Sequence, residues 1–194
     1  MTDDVHVHPG SRAAWRAWLA EHHGRSAGAW LVSWKKHTSR LALTYDEAVE
    51  EALCFGWVDS KPRRLDADRS ALWFSPRRRG SAWSRSNKER VARMEAAGLM
   101  TDAGRSVVEA AKADGTWILL DAVEDLIVPD DLAAAFDARP GSRARFDAFP
   151  RSVRRGILEW IVQAKRPATR AARVAETARL AERGERANQW RRPA

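Results

Sequence analysis

The chain has 194 residues, with Lys+Arg 34 against Asp+Glu 26, a formal net charge of +8 and 44% apolar residues. So many core-forming residues exclude a disordered chain, and no apolar run approaches the roughly 18 residues of a membrane span. The lone cysteine, Cys54, excludes an intramolecular disulfide and a multi-cysteine metal site. The opening MTDDVHVHPG has neither the basic start nor the apolar stretch of a signal peptide. The expectation is a cytoplasmic protein without membrane insertion.

In chain order, residues 1–10 read as a flexible tail. SRAAWRAWLAEHHG reads as a helix, with Trp15, Trp18, Leu19 and His22 three and four apart and Gly24 as the stop. AWLVSWKK alternates as a strand, Trp30, Val32 and Trp34 on one face. Thr44 and Glu47 predict a capping box for the helix TYDEAVEEALCFG, ended by Gly56. WVDSKPRRLD and SALWFSPR read as strands joined at DADR. Ser86 and Glu89 predict a second capping box before NKERVARMEAAG, and Asp102 predicts the cap of the next helix. TWILLDAVEDLIVP is ambiguous between strand and helix. Helices follow over PDDLAAAFDA, GSRARFDAF and RSVRRGILEWIVQAK, the last with a stripe of Val153, Ile157, Ile161 and Ala164. Pro167 breaks it, and Thr169 caps a final helix with the narrow stripe Ala171, Val174, Ala178 and Ala181.

The fold class is therefore α+β, an antiparallel sheet with flanking helices followed by a helical C-terminal region. The expected divisions are a tail over 1–10, an α+β domain over 11–138 and a basic helical segment over 139–194, cut near Arg139-Pro140-Gly141. Residues 139–194 hold 15 Lys+Arg and 5 Asp+Glu, whereas residues 1–138 hold 19 and 21. The whole positive excess belongs to the C-terminal third, which suits a polyanion partner or a basic face that docks on acidic neighbours.

Several catalytic strings fail on context. Gly24-Arg25-Ser26-Ala27-Gly28 matches a nucleophile elbow, but it lies between a helix and a strand, the reverse of the required order. The only histidine after Ser26 is His37, with no acid between them. Ser33-Trp34-Lys35-Lys36 matches a serine–lysine string, yet on a strand an offset of three puts Ser33 and Lys36 on opposite faces. His6 and His8 read as solvated, and His22 and His23 diverge by about 100° around their helix. Asp46, Glu47, Glu50 and Glu51 make an acidic helix face, which more often meets water or basic neighbours than a cation. Cys54 reads as a buried, inert thiol. No phosphate loop, dinucleotide fingerprint or zinc motif is present, so no cofactor and no metal are expected.

One stretch concentrates aromatic, hydroxyl and guanidinium groups: Trp57, Asp59, Ser60, Arg69, Trp73, Ser75, Arg77, Ser81, Trp83, Ser84, Asn87 and Arg90. Strand alternation sends Leu72 and Phe74 to one face and Trp73, Ser75 and Arg77 to the other. Flat aromatic surface beside bidentate donors suits a small anionic or aromatic ligand, or a protein partner, and it also suits a single-stranded nucleic acid. The competing reading puts these tryptophans under helices, since most of ten tryptophans must enter a core.

The same stretch carries a family resemblance. YDEAVEEALCFGWVDSKPRRLD, WFSPRRRGSAWSRSNKERV, GLMTDAG, AAKADGTW and FPRSVRRGILEWIVQAKRPATRAARVAET resemble the YdeI/OmpD-associated, bacteriocin-protection family over about residues 11–187. The resemblance implies an N-terminal α+β part similar to the YjbR/CyaY-like superfamily and a helical C-terminal part. It also implies a role in bacteriocin or stress protection, with no catalytic residues to carry over. Frataxin-like members of that superfamily bind iron through an acidic first helix. Here the first helix, RAAWRAWLAEHH, has two arginines and one glutamate, which argues against that role.

The leading expectation is a non-enzymatic binding protein that uses the Trp/Arg stretch. One alternative is a nucleic-acid-binding protein that uses Arg151, Arg154, Arg155, Lys165, Arg166, Arg170 and Arg173 on the C-terminal helices. Another is an enzyme of unrecognised mechanism with its site near Trp57 and Asp59.

Overall fold

A computed structural model of the chain describes residues 5–40 and 43–189. The elements run β1 (His6–Val7), α1 (Arg12–His22), β2 (Ala29–Trp34), α2 (Tyr45–Cys54), β3 (Trp57–Arg64), β4 (Arg69–Pro76), α3 (Arg85–Ala96) and α4 (Asp102–Ala113). Then come α5 (Asp121–Glu124), α6 (Asp130–Asp137), α7 (Ser142–Asp147), α8 (Arg151–Val162) and α9 (Pro167–Ala181), with a 3-10 turn at Lys36–Thr38 between β2 and α2. The fold is α+β, an N-terminal sheet followed by a helical region.

The chain forms two compact units. One comprises the residues up to Ser81 together with Ser86–Thr116, and the other Ala82–Arg85 together with the residues from Trp117 on. The composition change near Arg139 thus falls inside the second unit. The acidic stretch before it, including Asp121, Glu124, Asp130 and Asp131, folds with the basic helices that follow.

In the first unit the sheet order is β1-β2-β4-β3. β2–β4 and β4–β3 are antiparallel, while β1 adds a short parallel pair, so the sheet is mixed where an all-antiparallel one is expected. His6 and Val7 pair with Trp30 and Leu31, which puts a strand inside the stretch expected as a tail. The register sets Trp30 opposite Trp73, Leu31 opposite Leu72 and Ala29 opposite Phe74. Facing residues share a side of a pleated sheet. Phe74, Leu72 and Leu31 therefore lie on one face, and Trp30, Val32, Trp34, Trp73 and Ala71 on the other.

The Phe74 face carries the main core of this unit. Trp15 is wholly buried, 5.5 Å from Phe74, and its indole donates to the Ala48 carbonyl at 3.1 Å. Trp18 stacks on Trp15 at 5.3 Å and meets Trp57 edge-on at 5.9 Å. The helical spacing of Trp15, Trp18 and Leu19 thus serves packing, worth about 2–3 kcal/mol per buried large side chain.

The helix caps follow local chemistry. The Thr44 side chain accepts from the Glu47 amide, and the Glu47 carboxylate accepts from the Thr44 amide at 2.9 Å, the expected capping box. Gly56 ends the turn in the left-handed region, at φ 73°. Thr101, rather than Asp102, caps α4 and accepts from the Gly104 amide, because Thr101 is the last extended residue. α9 starts at Pro167, whose fixed φ suits a first helical position, so Thr169 lies inside the helix. α3 begins at Arg85, with Ser86 already helical.

The second unit packs Leu132, Phe136, Phe146, Ile157, Ile161, Val174 and Ala178 into one apolar core. Ile157 and Ile161 occupy the expected stripe of α8, joined by Leu158. On α9 the buried stripe is Val174, Thr177, Ala178, Leu180 and Ala181, while Ala171 is exposed. The ambiguous stretch resolves into turns and the four-residue α5. Among the described residues no helix is long and apolar enough to cross a membrane.

Candidate functional site

The local chemistry of α2 determines what can gather beside it. Its acidic face meets arginines. Glu51, 2% exposed, holds Arg12 Nε and Arg16 at 2.6 Å each, and Glu50 holds Arg93 at 2.9 Å. Asp46 takes Arg90 at 2.5 Å. Among the described residues no cluster of three metal-ligating side chains occurs. Cys54 is buried at the end of the same helix, where burial pushes its thiol up to about 11 and makes it a poor nucleophile. Ser26 donates to the Gly28 carbonyl at 2.9 Å and simply closes the loop.

Between the start of α2 and the Phe74 face of the sheet lies a cavity of about 440 Å³. The strands supply Leu31, Ser33, Leu72, Ser70 and Ala71. β3 supplies Asp59, Ser60 and Pro62, and the start of the helix supplies Leu43, Thr44, Tyr45 and Ala48. The walls are mostly apolar, with hydroxyls spaced around them. The one acid is Asp59, whose Oδ2 accepts from the Tyr45 hydroxyl at 2.9 Å. A shift in the β3–β4 register between Asp59 and Pro62 lets Asp59, Ser60 and Pro62 all reach the cavity.

Behind this wall the arginines are committed. Arg90 donates to Asn87 Oδ1 at 2.9 Å as well as to Asp46, and its guanidinium lies 5.6 Å from the Tyr45 ring centre. Burial pulls the Arg77 guanidinium down to about 10, and the nearby Asp59 charge opposes that fall. Partial desolvation and the bond to Asp59 raise the Tyr45 phenol above its usual value, although the side chain is more than half exposed. The site therefore presents one carboxylate and several hydroxyls to a guest, with cationic charge held in the second layer.

The predicted constellation divides. Asp59 and Ser60 line the cavity, and Arg77, Asn87 and Arg90 stand behind it. Trp57 is 1% exposed and donates its indole N–H to the His23 carbonyl, and Trp83 is 2% exposed and packs on Trp117 at 4.9 Å. Neither can offer an open stacking face. Both sit beside other large apolar groups, as most tryptophans must. Ser81 donates to the Arg78 carbonyl in a turn, and Ser84 lies in the second unit. Arg69 clasps Asp66 at 2.7 Å. Trp73 and Ser75 lie on the opposite face of the sheet, Trp73 against Trp30 at 5.2 Å. Tyr45, Leu43 and Pro62 were not singled out from the sequence. The only available signal was an aromatic directly after a helix cap, exposed on a polar turn.

The basic C-terminal residues are largely engaged inside their own unit. Arg155 bridges Glu124 and Glu159 at 2.7 Å each, Arg170 chelates Asp131 at 2.7 and 3.0 Å, and Arg154 approaches Asp147 at 4.0 Å. Arg151 donates to the Glu124 carbonyl at 2.5 Å, and Arg173 donates to the Trp160 carbonyl. Lys165 and Arg166 are exposed. Of these seven, Arg154, Arg155 and Arg170 thus meet carboxylates of α5, α6, α7 and α8 in their own unit.

Residues 7–107, more than half of the chain, match the family model described as Domain of unknown function (DUF8412). The chain belongs to that family. Residues 125–184 match the family model Bacteriocin-protection, YdeI or OmpD-Associated, which supports the resemblance for the helical part. No curated protein and no solved structure matches the chain.

Proposed function

We propose that the chain is a cytoplasmic binding protein that acts in bacteriocin or stress protection by capturing a small molecule in the cavity beside α2. The observation that carries this reading is the cavity of about 440 Å³, in the size range of small-molecule sites, with apolar walls and one convergent polar pair, Tyr45 and Asp59. The only charged group on its wall is a carboxylate, so the guest has a flat apolar body and a hydrogen-bond donor, such as an amine or hydroxyl. Of the ligand chemistries suggested by the sequence, this supports the aromatic one over the anionic one. Arg90 and Arg77 serve that site as positioning residues, holding Tyr45 and Asp59 from behind.

The test is a tryptophan-fluorescence titration with aromatic amines and phenols against matched aromatic carboxylates. Amines and phenols should bind saturably, and the carboxylates should not. Asp59→Asn should weaken amine binding about tenfold or more, the scale of one charge-assisted hydrogen bond. Leu72→Trp, which fills the cavity, should abolish it. Equal binding of carboxylates, undiminished in Asp59→Asn, would overturn the reading.

A further inference from the structure

The opposite face of the sheet holds a second assembly that the cavity does not use. Trp30, Val32 and Ala71 form a small apolar floor, packed by Trp73 and Leu65. Guanidinium groups lie over its indoles. Arg40 is 4.0 Å from the Trp34 ring centre, Arg63 is 4.5 Å from that of Trp30, and Arg69 is 5.9 Å from that of Trp34. Trp34 and Trp73 are both partly exposed. Arg69 is committed to Asp66, whereas Arg40 makes no ion pair among the described residues, and a guanidinium over an indole can turn its N–H edge toward a phosphate or a base edge.

Charge gathers at the same end of the sheet. Residues 35–40 and 60–69 contain seven Lys+Arg and two Asp, a net +5 within a segment, 1–138, whose net charge is −2. No ion pair engages Lys36, Arg40, Lys61 or Arg64 among the described residues, in contrast to the arginines of α8 and α9. Lys61 lies on β3, which is an edge of the sheet, whereas Arg64 pairs with Ser70 and belongs to the cavity face. The sequence suggested phosphate contacts on the C-terminal helices and an aromatic surface around Trp73; cationic and aromatic groups come together at this end of the sheet.

We propose that this Trp30–Trp34–Trp73 face, with Arg40 and Lys61 at its margin, binds single-stranded nucleic acid. The partly exposed indoles of Trp34 and Trp73 offer sequence-tolerant stacking for unpaired bases over the buried Trp30, and the flanking cations follow a phosphate backbone. A protein partner fits less well, because the apolar floor is only three residues and lysine-rich margins are depleted at the centre of protein interfaces. The two sites lie on opposite faces of the sheet, so this proposal stands or falls independently of the cavity.

The experiment uses the full chain with a fluorescein-labelled oligothymidine and, separately, heparin, at about 50 and 200 mM salt. Oligothymidine should bind, quench tryptophan fluorescence and lose at least about tenfold in affinity across that salt range. Arg40→Glu with Lys61→Glu should weaken binding about tenfold or more and flatten the salt dependence. Trp34→Ala should weaken it about tenfold, and Trp34→Phe, which keeps a flat ring and guards against misfolding, should retain most of it. Arg166→Glu, at the residue just before α9, should change nothing. Heparin should bind without depending on Trp34. The proposal is overturned if oligothymidine does not bind at low salt, if Trp34→Ala binds it as tightly as the parent chain, or if Arg166→Glu is the variant that abolishes binding.

Discussion

At the scale of single residues, two contacts make sharp predictions. Tyr45 is the only tyrosine, so phenolate absorbance reports this site alone. Partial desolvation and the bond to Asp59 raise its pKa above the ordinary 10.0. A pKa raised by folding contributes stability that is present below pH 10 and is lost as pH rises through the folded value. An alkaline titration should therefore show a midpoint above 10 in the native chain, and Asp59→Asn should move it back toward 10. The second contact is Gly104, where an added Cβ would meet the Cys54 carbonyl oxygen at 2.3 Å. That obstacle is backbone and cannot swing away. Gly104→Ala should lower stability by roughly 1–3 kcal/mol in urea unfolding, even though alanine is the better helix former.

At the scale of elements, α2 links the fold to the cavity. Its start is held by the Thr44–Glu47 box and its side by arginines on Glu50 and Glu51. Thr44→Ala should cost about 1 kcal/mol, the usual worth of a cap, and should loosen Tyr45, the next residue. The Glu47 carboxyl is held below its ordinary 4.5, chiefly by the Thr44 amide. A depressed pKa contributes stability that is present above 4.5 and is lost as pH falls through the folded value. Glu51 is nearly fully buried, so Glu51→Gln, which strips the charge facing Arg12 and Arg16, should cost more than the cap does. Urea midpoints of the two variants, measured side by side at neutral pH, give that order directly.

At the scale of the whole molecule, the net charge of +8 conceals a local balance. In the second unit, Arg155 holds the Glu124 carboxyl below 4.5, and Arg170 holds that of Asp131 below 3.8. Both contributions are present above those ordinary values and fade as pH falls through the folded ones. Helical circular dichroism should therefore decline on acidification below pH 4.5. Combining Glu124→Gln with Asp131→Asn should make that decline shallower. At neutral pH Arg170→Ala alone should cost under about 1 kcal/mol, because the pair is partly exposed and screened by solvent.

The sequence by itself determined the α+β class, the strands around Trp30 and Trp73, the Thr44–Glu47 cap and the helices of the C-terminal part. Each of these rests on local chemistry: alternation, helical spacing, caps, and the backbone freedom of Gly56. Only the tertiary structure decided that Trp57 and Trp83 are buried while Trp34 and Trp73 are partly exposed. A tryptophan looks the same in sequence on either side of a sheet, and a register such as Trp30 opposite Trp73 is a long-range fact. The same holds for charge. Arg155 and Arg170 read as free cations in the chain, and they are neutralised because folding carries Glu124 and Asp131, 31 and 39 positions away, within hydrogen-bond distance.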